Sequence, residues 1–354
     1  MKKIWLYISG GVSFVLFLVL SAIAGHMISD QDTQQMAVRW GNNGERVAQI
    51  SCFFSPNAQI SQDSIEEFEH SIDSKLKEAS ITSASMNENA RQWADAYSAD
   101  GQITISSDRS TVTLDAIGIG GDFFLFHPLM LLNGSFFSGN DINTDYCVID
   151  EDAAWQLFGS NDVAGMMVNI GGKDHIITGV IRRDDGKLDK AAGLEDTVVY
   201  VSYDTLINLG TCNGINHYEI VLPNPVSGFA YDLVKEGIGY NEKEMHLLEN
   251  STRYSLKNRL LTLLAFGTRS MNGKSIIYPY WENVARGFED ILALLLLVQC
   301  LLLLYPVILA IVFIVKWWKH KSWTFKSVYL QLKDKMERHM EMRRRKKQDE
   351  EDEV

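Results

Sequence analysis

The cysteines, histidines and acidic runs are the side chains with chemistry to offer. Four Cys in 354 residues are too few to staple a fold. Cys52 and Cys147 sit in apolar stretches (RVAQISCFF and YCVID) and read as small core residues. Cys212, between Gly210 and Asn213, reads as more exposed, and Cys300 as packing within an apolar run. Any pair of the first three is open to a disulfide, and nothing selects one. The eight histidines (His26, His70, His127, His175, His217, His246, His320, His339) are scattered, without a His-x-x-x-His pair or metal-ligand spacing. His127-Pro128 follows the aromatic run Phe123 to Phe126 and reads as structural. Ser135 and Ser138 lie outside any G-x-S-x-G elbow. Asp150-Glu151-Asp152 could gather a cation but lacks EF-hand spacing, and Asp152 reads as the N-cap of a helix starting at Ala153. Gly118-Ile-Gly-Gly121 has no following GK[ST] and is no phosphate loop. No nucleophile–base pair or metal cluster emerges, so the expectation is no enzyme, with no catalytic, cofactor-binding or metal residues.

Two apolar runs have stronger consequences. Ile4 to Ala24 is uncharged over 21 residues, about 31 Å of helix, enough for a hydrocarbon core of about 30 Å. Met1-Lys2-Lys3 and Ala22-Ile23-Ala24 also fit a cleavable signal peptide, but the run is long for one, and a retained anchor is expected. Ile291 to Val315 is a second uncharged run, of 25 residues, followed by Lys316, Lys319 and Lys321. From Lys316 onward there are 12 Lys and Arg against 8 Asp and Glu, whereas residues 25–290 carry 19 against 37. The positive-inside rule then puts both termini in the cytoplasm and residues 25–290 outside it. The expected layout is residues 1–3 cytoplasmic, 4–24 and 291–315 transmembrane, and 316–354 a cytoplasmic tail. A formal net charge of −12 speaks against nucleic acid as a partner and leaves lipid as the expected one.

The elements between the spans follow from pattern. The first span is expected to continue as a helix to about Trp40. A helix from Trp281 to Lys316 would outrun the bilayer and project as a stalk, with Pro306 a candidate kink. Tyr280 and Trp281 suit a membrane interface, and Glu282, Arg286 and Asp290 share one helix face. Strands are predicted at Arg46 to Phe54, Ile103 to Ile105, Thr111 to Ile119, Tyr146 to Ile149, Met167 to Ile170, His175 to Ile181, Thr197 to Ser202 and Tyr218 to Leu222. Helices are predicted at Ser61 to Lys77, with a Ser64/Glu67 capping box and the apolar face Ile65, Phe68, Ile72 and Leu76, at Ala90 to Tyr97, at Ala153 to Phe158 and at Gly228 to Lys235. The fold class is therefore α+β, a discontinuous subdomain with a β-rich one inserted at about 120–215. In the tail, Leu332, Met336 and Met340 form a stripe at helical spacing after Val328, a candidate docking face, ahead of the basic run Arg343 to Lys347 and the acidic run Glu350 to Glu353.

The order Gly134-Ser-Phe-Phe, Tyr146-Cys-Val-Ile-Asp150, Ala153-Ala-Trp-Gln-Leu-Phe-Gly159, Val163-Ala-Gly165, Val168-Asn-Ile-Gly-Gly172 and Ile177-Thr-Gly-Val-Ile181 resembles the MacB-type periplasmic core domain of FtsX-like ABC-transporter permeases. Arg39-Trp40 and Ile277 to Arg286 resemble the ends of that domain in Gram-positive relatives, so Arg39, Trp40, Tyr280, Trp281, Glu282 and Arg286 are the stalk and membrane-interface candidates. Ser135 stands where the family has Arg. One span follows the core domain where a full permease half has three, and there is no Walker motif. The resemblance implies a non-catalytic subunit of an ABC-type export or mechanotransmission complex in a bacterial plasma membrane. It implies no cofactor on this chain, with ATP bound by a separate ATPase subunit, and a second permease or another copy, with or without an extracytoplasmic adaptor, as partner. The alternative is a membrane-anchored adaptor or ligand-sensing module working without an ATPase.

Overall fold

The structure, a computed structural model, describes residues 2–41, 46–81, 91–184, 186–192, 197–239, 243–266, 276–320, 329–330 and 332–342. The chain divides into two bodies, Ala22–Leu297, and Met1–Ser21 with Val298–Val354. Helix α1 (Lys2–Ser29) does not reach Trp40 as the sequence led us to expect. A 3-10 turn (Asp32–Gln35) and a short α2 (Met36–Trp40) follow it. The break is at Gln31, whose backbone leaves the helical region (φ −89, ψ 66), and the Gln35 side chain turns back to donate to the Ile28 carbonyl. Strand β1 (Val47–Phe54) comes next, then α3 (Gln62–Glu78), which buries Ile65, Phe68, Ile72 and Leu76 as its periodicity predicts. Its cap is Ser61, whose hydroxyl accepts from the Ser64 backbone N–H, so the Ser64/Glu67 pair lies inside the helix instead of starting it.

Strand β2 (Ala94–Ser106) replaces the helix predicted over Ala90 to Tyr97, of which Ala90 lies outside the described residues. Ala94 and Ala96 pack into one layer, and Tyr97, Ala99 and Ile103 into the other. Alternate burial on both faces of a central strand overrides the helix propensity of alanine. The chain continues through β3 (Thr111–Gly121), α4 (Phe123–Phe126), β4 (Leu131–Gly134), β5 (Tyr146–Asp150), α5 (Glu151–Phe158), β6 (Met167–Ile170), β7 (Lys173–Ile181), α6 (Lys187–Ala191) and β8 (Val198–Ser202). It ends through α7 (Tyr203–Leu209), β9 (Thr211–Cys212), β10 (His217–Pro223), α8 (Phe229–Ile238), β11 (Met245–Glu249), a 3-10 turn (Asn250–Thr252), α9 (Leu256–Leu264) and α10 (Tyr280–His320). The cap of α5 is Asp150, not Asp152. Asp150 ends β5, and its Oδ1 accepts from Ala153 N at 2.7 Å while Oδ2 accepts from Val198 N at 2.9 Å, tying helix, β5 and β8 together.

The strands make one sheet in the order β11-β1-β10-β2-β3-β8-β5-β7-β4, with β6 bridging β2 and β7 and β9 attached to β2. The β3–β8 and β5–β7 pairs are parallel and the others antiparallel. One face packs on α3, α5, α7 and α8, and the other on α2, α4 and Trp281 of α10. Cys52 and Cys147 are buried, Cys212 half-buried and Cys300 exposed, and all four are free thiols.

In the other body, Ser9 Oγ lies 2.8 Å from Tyr305 Oη, and Ser13 Oγ donates to the Leu302 carbonyl at 2.7 Å. A Cβ on Gly10 would lie 2.7 Å from Leu309, so the two helices meet where a side chain is missing. Both are long and apolar enough to cross a membrane. Pro306 lies inside α10 without ending it. Residues 332–342 are helical, with Leu332, Met336 and Met340 exposed, while Val328, Arg343 to Lys347 and Glu350 to Glu353 lie outside the described residues.

Candidate functional site

Strand β1 alternates in chemistry as well as in direction. Ala48, Ile50, Cys52 and Phe54 face one core, which leaves Gln49, Ser51 and Phe53 on the other side, all 0–1% exposed. Its neighbour β10 puts His217 opposite Phe53 and Glu219 opposite Ser51. A sheet face carrying polar groups would ordinarily be left to water. Here α2, α4, the 3-10 turn after β11 and the start of α10 cover it, so every polar group needs a partner.

The partners form a continuous network. Ser51 Oγ donates to Glu219 Oε1 at 2.6 Å, and Asn250 Nδ2 donates to Ser51 Oγ at 2.7 Å. Arg253 Nη1 donates to Asn250 Oδ1 at 3.3 Å. The same guanidinium grips Glu282 of α10 bidentately, at 2.7 and 2.9 Å, and its Nε reaches Glu289. Glu282 Oε1 also accepts from Arg286 Nε at 2.7 Å, and the Arg286 guanidinium stacks 3.7 Å over the Tyr278 ring. Gln49 extends the network toward α2, accepting from Met36 N at 2.9 Å and donating to the Thr33 carbonyl at 2.8 Å. The segment that follows α1 and the beginning of α10 are thus fastened to the same two strands.

Glu219 is the most enclosed charge. His127 Nε2 approaches its Oε2 at 3.1 Å and His217 Nε2 its Oε1 at 3.4 Å. Ser98 Oγ lies 3.4 Å from His217 Nδ1. Burial alone would raise the Glu219 carboxyl, but His217 and His127 reverse this and hold it well below the usual carboxylate range. Burial lowers the His127 imidazole despite Glu219, which keeps it neutral near neutral pH. Burial would likewise lower Arg253, and Glu282 and Glu289 more than offset it. The arrangement is a buried carboxylate enclosed by two imidazoles beside a paired Arg–Glu cluster. Among the described residues no group of three His, Cys, Asp or Glu is placed to hold a metal ion. The geometry can clamp helices.

The predicted stalk and membrane-interface residues fall at this junction. Trp281 is buried among Phe123, His127 and His217, with its ring centroid 4.6 Å from that of His127, and Glu282 is buried on Arg253. Tyr280 is half-buried, its Oη 3.3 Å from Tyr200 Oη. Arg39 donates to the Leu125 and Phe126 carbonyls at the end of α4, and half-buried Trp40 packs beside Arg91. Sequence reasoning missed Gln49, Ser51, Glu219 and Arg253. The alternation of β1 was a usable signal for the first two. Arg253 lies in a polar stretch that gave none.

Fold and junction together define a globular α+β domain tied to a long apolar helix. The chain belongs to the MacB-like periplasmic core domain family, which it matches over residues 6–227. The α+β class and the resemblance read from the motifs thus hold, and the chain carries the periplasmic-type domain of ABC-transporter permease-type proteins. Among solved structures it is similar to the periplasmic region of MacB from Actinobacillus actinomycetemcomitans, at 16% identity over 58% of this chain and 89% of that one, with a TM-score of 0.38. It is also similar to the extracellular domain of the noncanonic ABC-type transporter YknZ from Gram-positive bacteria, at 17% identity over 56% and 99%, with a TM-score of 0.37. No curated protein matches it. Gly134 (φ 81) and Gly165 (φ 86), two glycines of the motif series, occupy left-handed turns that disfavour a side chain. Gln49, Ser51, His127, His217 and Glu219 lie within the matched stretch, whereas Arg253, Glu282 and Glu289 lie beyond it.

Proposed function

We propose that this chain is a non-catalytic, permease-like membrane subunit of an ABC-type export or mechanotransmission complex. It binds no cofactor itself, and a separate cytoplasmic ATPase binds the ATP. Residues 25–290 stand outside the cytoplasm of a bacterial plasma membrane, 4–24 and 291–315 cross it, and 1–3 and 316–354 are cytoplasmic. The observation that carries this reading is the Arg253–Glu282 clamp. It fastens the first turns of α10 to the sheet of the globular domain, and the same helix carries the apolar run. Tension or displacement applied to that helix therefore acts first on Arg253, and through Asn250 and Ser51 on β1 and β10. The basic flanks of both runs support the orientation. A second permease or another copy of the chain completes the assembly, and an extracytoplasmic adaptor suits the outer domain.

The test is purification of the full-length chain in mild detergent from its native host. An ABC ATPase is expected to co-purify, and loss of it on deleting residues 326–354 is expected if the tail helix with Leu332, Met336 and Met340 is its docking arm. Undiminished recovery refutes the docking arm, and a monomer without ATPase refutes the complex. One feature favours the adaptor or sensor alternative. A cleft of about 580 Å³, lined by Gln34, Arg46, Asn224, Glu249, Ser251 and Tyr254 among others, gives a small ligand room beside the junction.

A further inference from the structure

Helix α9 is built inside out. A surface helix in water turns its apolar side chains inward and its polar ones outward. In α9, Leu256, Leu260, Leu261 and Leu264 are 51–77% exposed, and no residue of the helix is buried. The half-buried side is held by Asn258, Arg259 and Thr262, together with Leu263. Positions 256, 260, 261 and 264 form one helical stripe, and exposed Phe266 follows it. Exposed Lys257 stands at the edge of the stripe.

The position of this stripe is fixed by its neighbour in the chain. Tyr254, two residues before α9, is buried in a small cluster with Ala24, Met27, Ile28, Leu292 and Leu295. Ala24 ends the first apolar run and Leu292 lies at the start of the second. The leucine stripe therefore begins beside the point where both runs leave the globular domain. We propose that α9 lies flat in the headgroup–acyl boundary of the bilayer, with its leucines among the acyl chains and Lys257 among the phosphates. At nine residues, about 14 Å, it is far too short to cross and suited to lying in the plane. The cation beside the stripe fits anionic lipid, since a lysine can keep its head in the phosphate layer while its stem covers hydrocarbon.

The inference rests on the reading of α1 and α10 as membrane spans, and the experiment separates the two. The full-length chain carries one accessible thiol at a time: Leu260→Cys (or Leu264→Cys) with Cys212→Ser and Cys300→Ser, native Cys300 with Cys212→Ser, or Ile142→Cys with both serines. Ile142 is 99% exposed on the domain and serves as the aqueous reference. Each thiol takes an environment-sensitive fluorophore in phosphatidylcholine–phosphatidylglycerol vesicles containing lipids with a nitroxide near the headgroup or near the chain end. The label at 260 or 264 is expected to shift to the blue and to lose more emission to the shallow nitroxide than to the deep one. The label on Cys300 is expected to lose more to the deep one, and that at 142 to neither. A Cys300 label that is quenched beside unquenched labels at 260 and 264 overturns the α9 proposal alone. So does a blue shift at 260 and 264 without quenching, which means protein covers the stripe. An unquenched Cys300 overturns the spans and α9 with them.

Discussion

Two buried groups should make stability depend on pH in opposite senses. His127 is held neutral by burial, so its folded pKa lies below the value of about 6.5 expected when unfolded. As pH falls below about 6.5 the unfolded chain takes up a proton that the folded one resists, and stability drops. The melting temperature of the full-length chain should fall between about pH 7.5 and pH 5.5, and His127→Gln should flatten that slope. An unchanged slope would show that another group sets it. Asp95 is the reverse case. Burial, reinforced by Glu69, raises its carboxyl well above the ordinary value, while the Tyr218 hydroxyl donates to Oδ2 at 3.0 Å. A raised carboxyl favours the fold at low pH and costs stability as pH rises through its folded value. Asp95→Asn keeps an oxygen for Tyr218 and should stabilise the protein by about 1 kcal/mol or more at neutral pH, with little gain near about pH 4. Equal gains at both pH values would point to packing in place of charge.

At the scale of elements, the fastening of α10 makes the clearest prediction. Arg253 and Glu282 are both buried, so removing one leaves the other charged and unmatched. Arg253→Met should cost about 3–5 kcal/mol in thermal unfolding of the purified chain. Adding Glu282→Leu should recover most of it, because Arg286 and Glu289, three residues apart, can then pair with each other. No recovery would mean that the guanidinium acts mainly through Asn250 and β1. Elements with one clean period were readable in advance: α3 through its i, i+4 stripe, and the apolar runs through length alone. Those that failed did so for physical reasons. The N-terminal part of β2 is built of alanines and other small residues whose burial on both faces only the tertiary structure reveals. Strand β11 and the turn at Asn250 are recognisable only through what they pair with, β1 and Arg253. The junction was half legible. Glu282 and Arg286 were singled out by their spacing, but their partner Arg253 lies 29 residues from Glu282, and no local pattern links them.

For the molecule as a whole, the two membrane-length helices among the described residues cannot by themselves enclose a polar path, because backbone and charge in lipid must be shielded by protein. An assembly of several chains, or a pairing with a second permease, is therefore expected, read out as mass in native-state spectrometry. A strictly monomeric species would count against transport and leave the sensing role. The sheet adds a constraint of another kind. Strand β1 pairs on one side with β10 and on the other with β11, so Ser51 meets Glu219 across 168 residues. Contacts that distant are slow to close and cannot form before β10 has left the ribosome. Until β10 and β11 have been synthesised, β1 has bare edges that any chaperone or stray strand can occupy, and the helix that locks the junction is made later still. The protein's birth thus runs from an open edge to a final latch, and a stop codon anywhere before Arg253 would leave a product with nothing to close it.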